Sequence, residues 1–538
     1  MDIREPNSEK SQLNLTTLSP SPKSSAFLEL GFKQTIAHLE EEIRTLYTMD
    51  EVPWIIGYSG GKDSTATLQL VWNAITGLPE SSRKKTIHVI STDTLVENPV
   101  VAAWVHNSMR GIEEKARQER MPFIAKLLHP EVEETFWVAL IGKGYPAPRP
   151  KFRWCTERLK ISPSNRYISQ VVNENNEAIL CLGARKQESA ARAKVLSKNA
   201  KYRVIKNLSP SPMLPGCQIF TPVEDWSSDD IWFFLNTKKN PWGISNKELM
   251  GMYAGASPDG ECPLVVDTST PSCGDSRFGC WVCTLVEKDK SMSAMIQNDV
   301  EKDWLMPLLE IRNALDFRIN GKKFGEYSDH HLRDFRRMSG AVQLLSHGKA
   351  VPGPYTQTAR IDWLRKLLKA QTHIRKAGPE SVSKLELITL PELQEIRRIW
   401  VIDKHEIEDR LPQIYEEATG ERYPGIQIDD SVQLGEAEME DLASICGSDR
   451  LHYELTRELL SLTRQHKDSG RRAGYYQKLE KTFTKHFYDD KNDALSVAGE
   501  RRDAREKLQR SSLLPNEQSQ PKDLSPQLTF LPEEHYDS

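Results

Sequence analysis

One stretch, Trp54-Ile55-Ile56-Gly57-Tyr58-Ser59-Gly60-Gly61-Lys62-Asp63-Ser64-Thr65, constrains this chain more than any other. An apolar run passes through two glycines into Ala66-Thr67-Leu68-Gln69-Leu70-Val71-Trp72, so it predicts a strand, a tight turn and a helix. Such a turn aims backbone N–H groups at one point with the positive end of the helix dipole behind them, which makes a cradle for phosphate. It is not the usual nucleoside-triphosphatase loop. There four residues separate the first glycine from Gly-Lys-Ser/Thr, whereas here Asp63 follows Lys62 and the spacing from Gly57 is one residue short. The competing reading is a Gly-Gly turn without a ligand, against which the strand and helix flanks argue.

The segments that follow extend this unit. Periodic Ile36, Leu39, Ile43, Leu46 and Tyr47 predict a helix before the loop. Residues 86–91, 123–128 and 178–183 read as buried strands, with helical character from Asn98 to Arg120. Strands alternating with helices predict an α/β fold with a doubly wound, mostly parallel sheet, whose ligands bind beyond the carboxyl ends of the strands. Asp93, Arg185 and the Ser59–Thr65 loop each follow a strand and are therefore expected at one crevice. Asp93 is open to holding Mg2+, a ribose hydroxyl or a helix cap. Arg185 is open to clamping a phosphate or forming an ion pair.

Eight cysteines in 538 residues, four of them between Cys262 and Cys283, read as a ligand cluster rather than a disulfide framework. Cys262, Cys273, Cys280 and Cys283 are separated by ten, six and two residues. The final C-x-x-C lets two thiolates grip one centre from a single turn, and the longer gaps let a loop return two more. Zinc and a [4Fe-4S] cluster both satisfy that spacing. No apolar run approaches the roughly 20 residues that span a bilayer, and Met1-Asp2-Ile3-Arg4-Glu5 opens no signal peptide, so a cytoplasmic protein without a membrane partner is expected.

The loop resembles the SGGKDS element of the PP-loop ATP pyrophosphatases, an adenine nucleotide α-hydrolase-like fold that cleaves ATP between its α- and β-phosphates. Gly183-Ala184-Arg185-Lys186-Gln187-Glu188-Ser189 is similar to the G-x-R-x-x-E-S element of the branch that includes phosphoadenylylsulfate (PAPS) reductases, as is Pro222-Val223-Glu224-Asp225-Trp226 with Asp229-Asp230-Ile231-Trp232. Arg153-Trp154-Cys155-Thr156 and Lys160 sit where that branch places substrate recognition. Arg153 and Lys160 are open to anion contacts or a plain basic surface, and Cys155 to a reactive or an inert thiol. Many PAPS reductases carry a catalytic cysteine in a C-terminal Glu-Cys-Gly-Leu-His segment. No cysteine follows Cys446 here, which argues against simple sulfate reduction.

Taken with the four-cysteine spacing and Gly353-Pro354-Tyr355-Thr356-Gln357-Thr358-Ala359-Arg360, the pattern resembles the C-component family of Dnd-type DNA phosphorothioation systems from about residue 30 to 500. That resemblance implies a [4Fe-4S] cluster on Cys262, Cys273, Cys280 and Cys283, assembled by a cysteine desulfurase. It also implies work with the D and E components to replace a non-bridging DNA phosphate oxygen by sulfur. ATP would lie on Ser59, Gly60, Gly61, Lys62, Asp63, Ser64 and Thr65, with Asp93 and Arg185 alongside. Lys62 would neutralise charge, Asp63 orient the loop or Mg2+, and Ser64 and Thr65 donate hydroxyl hydrogen bonds.

Beyond about residue 295, Trp304, Leu308, Ile311, Leu315 and then Trp363, Leu364, Leu367, Leu368 recur at helical spacing, which predicts a long helical region. Charge swings along it. Residues 301–376 hold 15 Lys/Arg against 8 Asp/Glu, residues 461–488 hold 7 against 2 with interleaved aromatics, and residues 406–449 hold 2 against 13. The basic stretches suit a phosphate backbone or are solvated helix faces; the acidic one suits a protein partner, the basic stretches or a mobile loop. Five parts are expected. These are a tail over 1–28, an ATP pyrophosphatase domain over 29–245, a four-cysteine loop over 246–295, a helical domain over 296–507 and a second tail over 508–538. The expected activity is a sulfurtransferase of DNA modification. The alternatives are a PAPS or adenylylsulfate reductase-like enzyme and a non-catalytic ATP- and metal-binding DNA-binding subunit.

Overall fold

A computed structural model describes residues 25–150, 152–203, 205, 207–257, 278–318, 328–345, 348–426, 435–466 and 474–512. These residues divide into two compact units, one drawn from Met1–Leu332, Tyr355–Lys404 and Glu408–Gln433, the other from Arg333–Pro354, His405–Ile407 and Leu434–Ser538.

In the first unit, six strands form one sheet: β1 (Trp54–Gly57), β2 (Ile87–Thr92), β3 (Phe123–Leu128), β4 (Ala178–Cys181), β5 (Leu208–Pro210) and β6 (Cys217–Phe220). Their order is β3-β2-β1-β4-β6-β5. All neighbours run parallel except β5 against β6. Alternation along β1 shows how the layers arise. Trp54 and Ile56 join one core with Ile87, Val89 and Phe123, whereas Ile55 points into a second with Ile90, Leu180, Ile168 and Val171. Both faces must be covered, and the sheet is doubly wound as expected. Each fully buried aliphatic side chain contributes roughly 1.5–3 kcal/mol.

The helices around this sheet are α1 (Gly31–Thr48), α2 (Lys62–Thr76), α3 (Pro99–Gln118), the short α4 (Trp154–Thr156), α5 (Ser162–Asn175), α6 (Ala190–Asn199), α7 (Ser228–Thr237) and α8 (Asn246–Gly255). Helix α3 starts where the sequence places it, because Asn98 accepts the Val100 amide at 3.0 Å and Pro99 fills the first position. Strand order reverses between β1 and β4, so the crevice lies beyond the ends of those two strands. Strands β5 and β6 carry no clear signal in the sequence: they are only three and four residues long, and Pro210 and Gly216 interrupt the run.

A second core in the same unit is helical. It gathers α9 (Lys290–Asn298), α10 (Met306–Leu315), α11 (Gln357–Ala377), α12 (Leu390–Arg398) and α13 (Leu411–Thr419) around the π-helical turn Val138–Lys143. Trp304, Leu308, Trp363, Leu364 and Leu367 all lie within it, as their spacing predicts. Two acidic-stretch residues pair here with basic ones, Asp409 with Arg397 and Glu417 with Arg365.

The other unit carries α14 (Glu436–Cys446), α15 (Arg450–His466), α16 (Tyr475–Lys485) and α17 (Lys491–Ser512) on a small core of Leu451, Tyr488 and Ala494. Arg336 links Asp334, Glu454 and His486 within it. Among the described residues, no helix is long and apolar enough to cross a membrane.

Candidate functional site

The loop after β1 has the predicted form. Tyr58 continues the sheet by donating to the Ile90 carbonyl at 2.8 Å, and α2 begins at Lys62 with Gly61 in extended backbone as its N-cap. Gly61 has no side chain to cap that end; the Lys62 amide donates to Tyr253 Oη at 3.3 Å. Gly60 has φ +72°, and a Cβ there would lie 2.5 Å from Val105 Cγ2. Only glycine fits both the conformation and the contact. Trp104 Nε1 fixes the turn from α3 by donating to the Gly60 carbonyl at 2.9 Å. Ser64 ties it internally, accepting the Ser59 amide at 3.2 Å and donating to the Gly61 carbonyl at 3.0 Å.

Lys62 is 5% exposed. Its ammonium lies 3.4 Å from Asp63 Oδ2 and 5.5 Å from the centre of the Tyr253 ring. Asp63 Oδ1 accepts from Arg185 Nε at 2.6 Å. The rest of the Arg185 guanidinium donates to the Trp226 carbonyl at 3.2 Å and Ser228 Oγ at 3.3 Å. Arg185 is therefore buried and engaged on protein acceptors, and of its two readings the ion pair is the one seen here, bracing Asp63. Thr65 also stands behind the loop: it is wholly buried, its amide closes onto the Gly61 carbonyl, and its hydroxyl lies in the core near Tyr58 and Ser108. Its hydroxyl does not face a ligand.

Gly183 closes the brace. A Cβ there would lie 2.7 Å from the Asp63 carbonyl oxygen and 2.8 Å from its carbon, because the end of β4 abuts the first turn of α2. Gly183→Ala is expected to destabilise the first unit by about 1–3 kcal/mol and to weaken ATP binding in parallel. Thermal unfolding and equilibrium nucleotide binding on the same preparation check both.

Asp93 follows β2, and each carboxylate oxygen is in use. Oδ1 accepts the Leu95 amide at 2.8 Å and Oδ2 pairs with His106 Nε2 at 3.0 Å. Burial works to raise the Asp93 pKa, but the hydrogen bonds from His106 and Leu95 hold it below its ordinary value. The same bond raises His106. The pair is fully formed only when Asp93 is ionised and His106 protonated. Its stability is present below the ordinary histidine pKa and is lost as pH rises through the raised one; on the acid side it is lost as pH falls through the depressed Asp93 value. His106 is half exposed, so the expected contribution is about 0.5 kcal/mol after solvent screening. His106→Asn is expected to flatten stability between about pH 6 and 8, measured by urea unfolding.

The segment after Asp93 leads to the cysteines. Glu97 bridges Cys280 in the backbone, and the Trp281 amide donates to the Val96 carbonyl at 2.9 Å. Thr94 Oγ1 lies 3.4 Å from Cys280 Sγ, which lies 3.6 Å from Glu97 Oε1. Cys280 and Cys283 share one turn closed by the Cys283 amide on the Cys280 carbonyl at 3.0 Å. Arg312, 2% exposed, pins that turn by donating to the carbonyls of Cys283 and Glu287, each at 3.1 Å, and of Val286. Cys262 and Cys273 lie outside the described residues.

Cys155 comes to the same place from α4. Its neighbour Trp154 stacks on Phe136, Phe136 meets Trp137 edge-on and Trp137 meets Trp281. Burial pushes the Cys155 thiol up, and nearby Cys283 adds to it. Burial also pushes Cys280 up to about 12. Lys160 pairs with Glu97 at 3.3 Å; burial would lower its pKa, but Cys280 and Glu97 raise it overall. Two thiols on one turn, a third alongside and the half-exposed Lys160 cation fit an anionic, thiolate-held group such as the implied [4Fe-4S] cluster. Glu97, Thr94, Arg312 and Tyr253 carry no motif in the sequence. Lys160 was open there to a plain surface role, and the structure places it at the cysteines.

Residues 53–285 match the phosphoadenosine phosphosulfate reductase domain, a span from the start of β1 to just past Cys283. Over 200 residues the chain is 28% identical to an uncharacterized protein of Methanocaldococcus jannaschii, covering 37% of this chain and 35% of that one. The chain thus spans about a third of the length of the curated relative it matches. Among solved structures it is similar to the U34-tRNA thiolase NcsA from Methanococcus maripaludis with its [4Fe-4S] cluster, at 12% identity over 55% of this chain and 85% of that chain. The TM-score of that superposition is 0.24. The sheet order, the loop and the domain match agree: residues 53–285 form a PAPS reductase-like, PP-loop domain.

Proposed function

We propose that this chain uses ATP to activate a DNA backbone phosphate for sulfur insertion, releasing pyrophosphate. The observation that carries the reading is the clasp between Thr94–Glu97 and the Cys280–Cys283 turn. It sets a thiol site beside the strand ends from which the Lys62 loop also springs. A phosphodiester is a poor electrophile, and its non-bridging oxygen is a poor leaving group. In the first step that oxygen attacks the α-phosphorus of ATP and pyrophosphate leaves. In the second a sulfide-level nucleophile attacks the DNA phosphorus and AMP leaves with the oxygen.

Lys62 and the amides of the first α2 turn bind and neutralise the phosphates, while Asp63, held by Arg185, fixes the lysine. A [4Fe-4S] cluster, when bound, supplies one-electron redox chemistry and iron sites with affinity for sulfur. Cys280 and Cys283, with Cys262 and Cys273, would hold it; Arg312 fixes their turn, and Lys160 balances their charge. The resemblance to the Dnd C-component family and the basic stretch over 301–376 favour DNA as recipient, with a cysteine desulfurase and the D and E components as partners.

Anaerobically purified protein, incubated with desulfurase, partner proteins, ATP and DNA, is expected to give phosphorothioate dinucleotides on digestion and mass spectrometry. Digests free of them, with all components active, would contradict the reading. The domain match favours one second reading, reduction of PAPS or adenylylsulfate. Sulfite release from either nucleotide would support it.

A further inference from the structure

Tyr253 stands between the phosphate loop and the cysteine turn. It projects from α8 and is 5% exposed. On one side its hydroxyl accepts the Lys62 amide at 3.3 Å, the first amide of α2 and one a bound phosphate oxygen would seek. A Cβ on Gly61 would come within 3.3 Å of the same hydroxyl, and the Lys62 ammonium sits over the ring. On the other side the ring meets Phe278 edge-on, with centroids 4.6 Å apart, and Trp232 at 5.1 Å. Phe278 is two residues before Cys280.

The hydroxyl has a spare proton. Burial pushes its pKa well above the ordinary tyrosine value, so it stays protonated at neutral pH. The Lys62 amide occupies a lone pair, and among the described residues the proton has no acceptor in hydrogen-bonding reach. A ring gripped by Phe278 and Trp232 cannot adjust its hydroxyl without pressing on them.

We propose that Tyr253 is a phosphate-binding residue of the loop that also reports its occupation to the cysteine turn. The hydroxyl donates its proton to a phosphate oxygen of the nucleotide, and the ring carries the shift to Phe278 and Cys280. The proposal rests on reading Ser59–Thr65 as a nucleotide loop.

The test uses the full chain as purified, with α,β-methylene-ATP and Mg2+ as probe, and two readouts: calorimetric affinity and hydrogen exchange. In the wild type the probe is expected to slow exchange in 60–65 and also, by about threefold or more, in 278–285. Tyr253→Phe keeps the ring and removes one oxygen. It is expected to bind about tenfold more weakly and, at saturating probe, to protect 60–65 but not 278–285. Unchanged exchange in 54–57 and 87–92 certifies that the variant is folded.

Wild-type protection confined to 60–65 overturns the coupling, and so does a Tyr253→Phe chain that binds and responds like the wild type. A wild type that neither binds the probe nor protects 60–65 overturns the loop reading, and this proposal with it. Phe278→Ala is expected to keep near-wild-type affinity and lose the response at 280–285; retention of that response overturns the route through Phe278.

Discussion

Lys62→Ala will cut pyrophosphate release from ATP by roughly two to three orders of magnitude without unfolding the chain. The side chain is almost wholly buried, yet its ammonium is held at the loop by the Tyr253 ring and the Asp63 carboxylate. That charge is preorganised in a poorly solvated site, where it stabilises charge developing between the α- and β-phosphates far more than it would in water. The fold should survive, because Asp63 keeps its Arg185 partner and the turn keeps Ser64 and Trp104. A coupled pyrophosphate assay with circular dichroism checks both halves. Release at the wild-type rate in a folded variant would remove the loop from the chemistry.

Cys280→Ser or Cys283→Ser will lower bound iron and visible iron-sulfur absorption to a tenth or less of the wild-type level, on the order expected when a ligand of a thiolate site is lost. Both thiols sit on one turn, closed by the Cys283 amide on the Cys280 carbonyl and held by Arg312 at the Cys283 carbonyl, so the serine hydroxyl arrives in the same place without the sulfur. Absorption spectra and metal analysis after anaerobic purification read this directly. A colourless wild type carrying zinc would contradict the iron-sulfur reading and leave a structural metal. The two substitutions should separate cleanly, with Lys62→Ala keeping its iron and the cysteine variants keeping nucleotide binding.

Much of the first unit was legible because its signals are local. Apolar runs at Trp54, Ile87, Phe123 and Ala178 gave four strands, and the Gly-Gly-Lys loop gave the crevice. The edge strands β5 and β6 were not, since three or four residues around Pro210 and Gly216 carry too little periodicity. The site divides in the same way. Residues contributed by the loop and by strand ends could be named from position alone. Partners delivered from far along the chain could not: Tyr253 reaches Lys62 across 191 positions and Cys280 reaches Glu97 across 183.

Position left the partner of Arg185 open between a phosphate and a carboxylate. A residue at the end of β4 does approach the loop, and there it meets Asp63, a contact across 122 positions that local pattern does not encode. Asp93 likewise has partners no local pattern names in advance, the Leu95 amide and His106.

The central claim is that the Lys62 loop directs cleavage of ATP between its α- and β-phosphates. ATP labelled in the α-phosphate, incubated with the anaerobically purified chain, its partners and DNA, and resolved by chromatography, tests this most directly. The account predicts label in AMP or on DNA with one pyrophosphate released per turnover. Label in ADP with release of orthophosphate would contradict it.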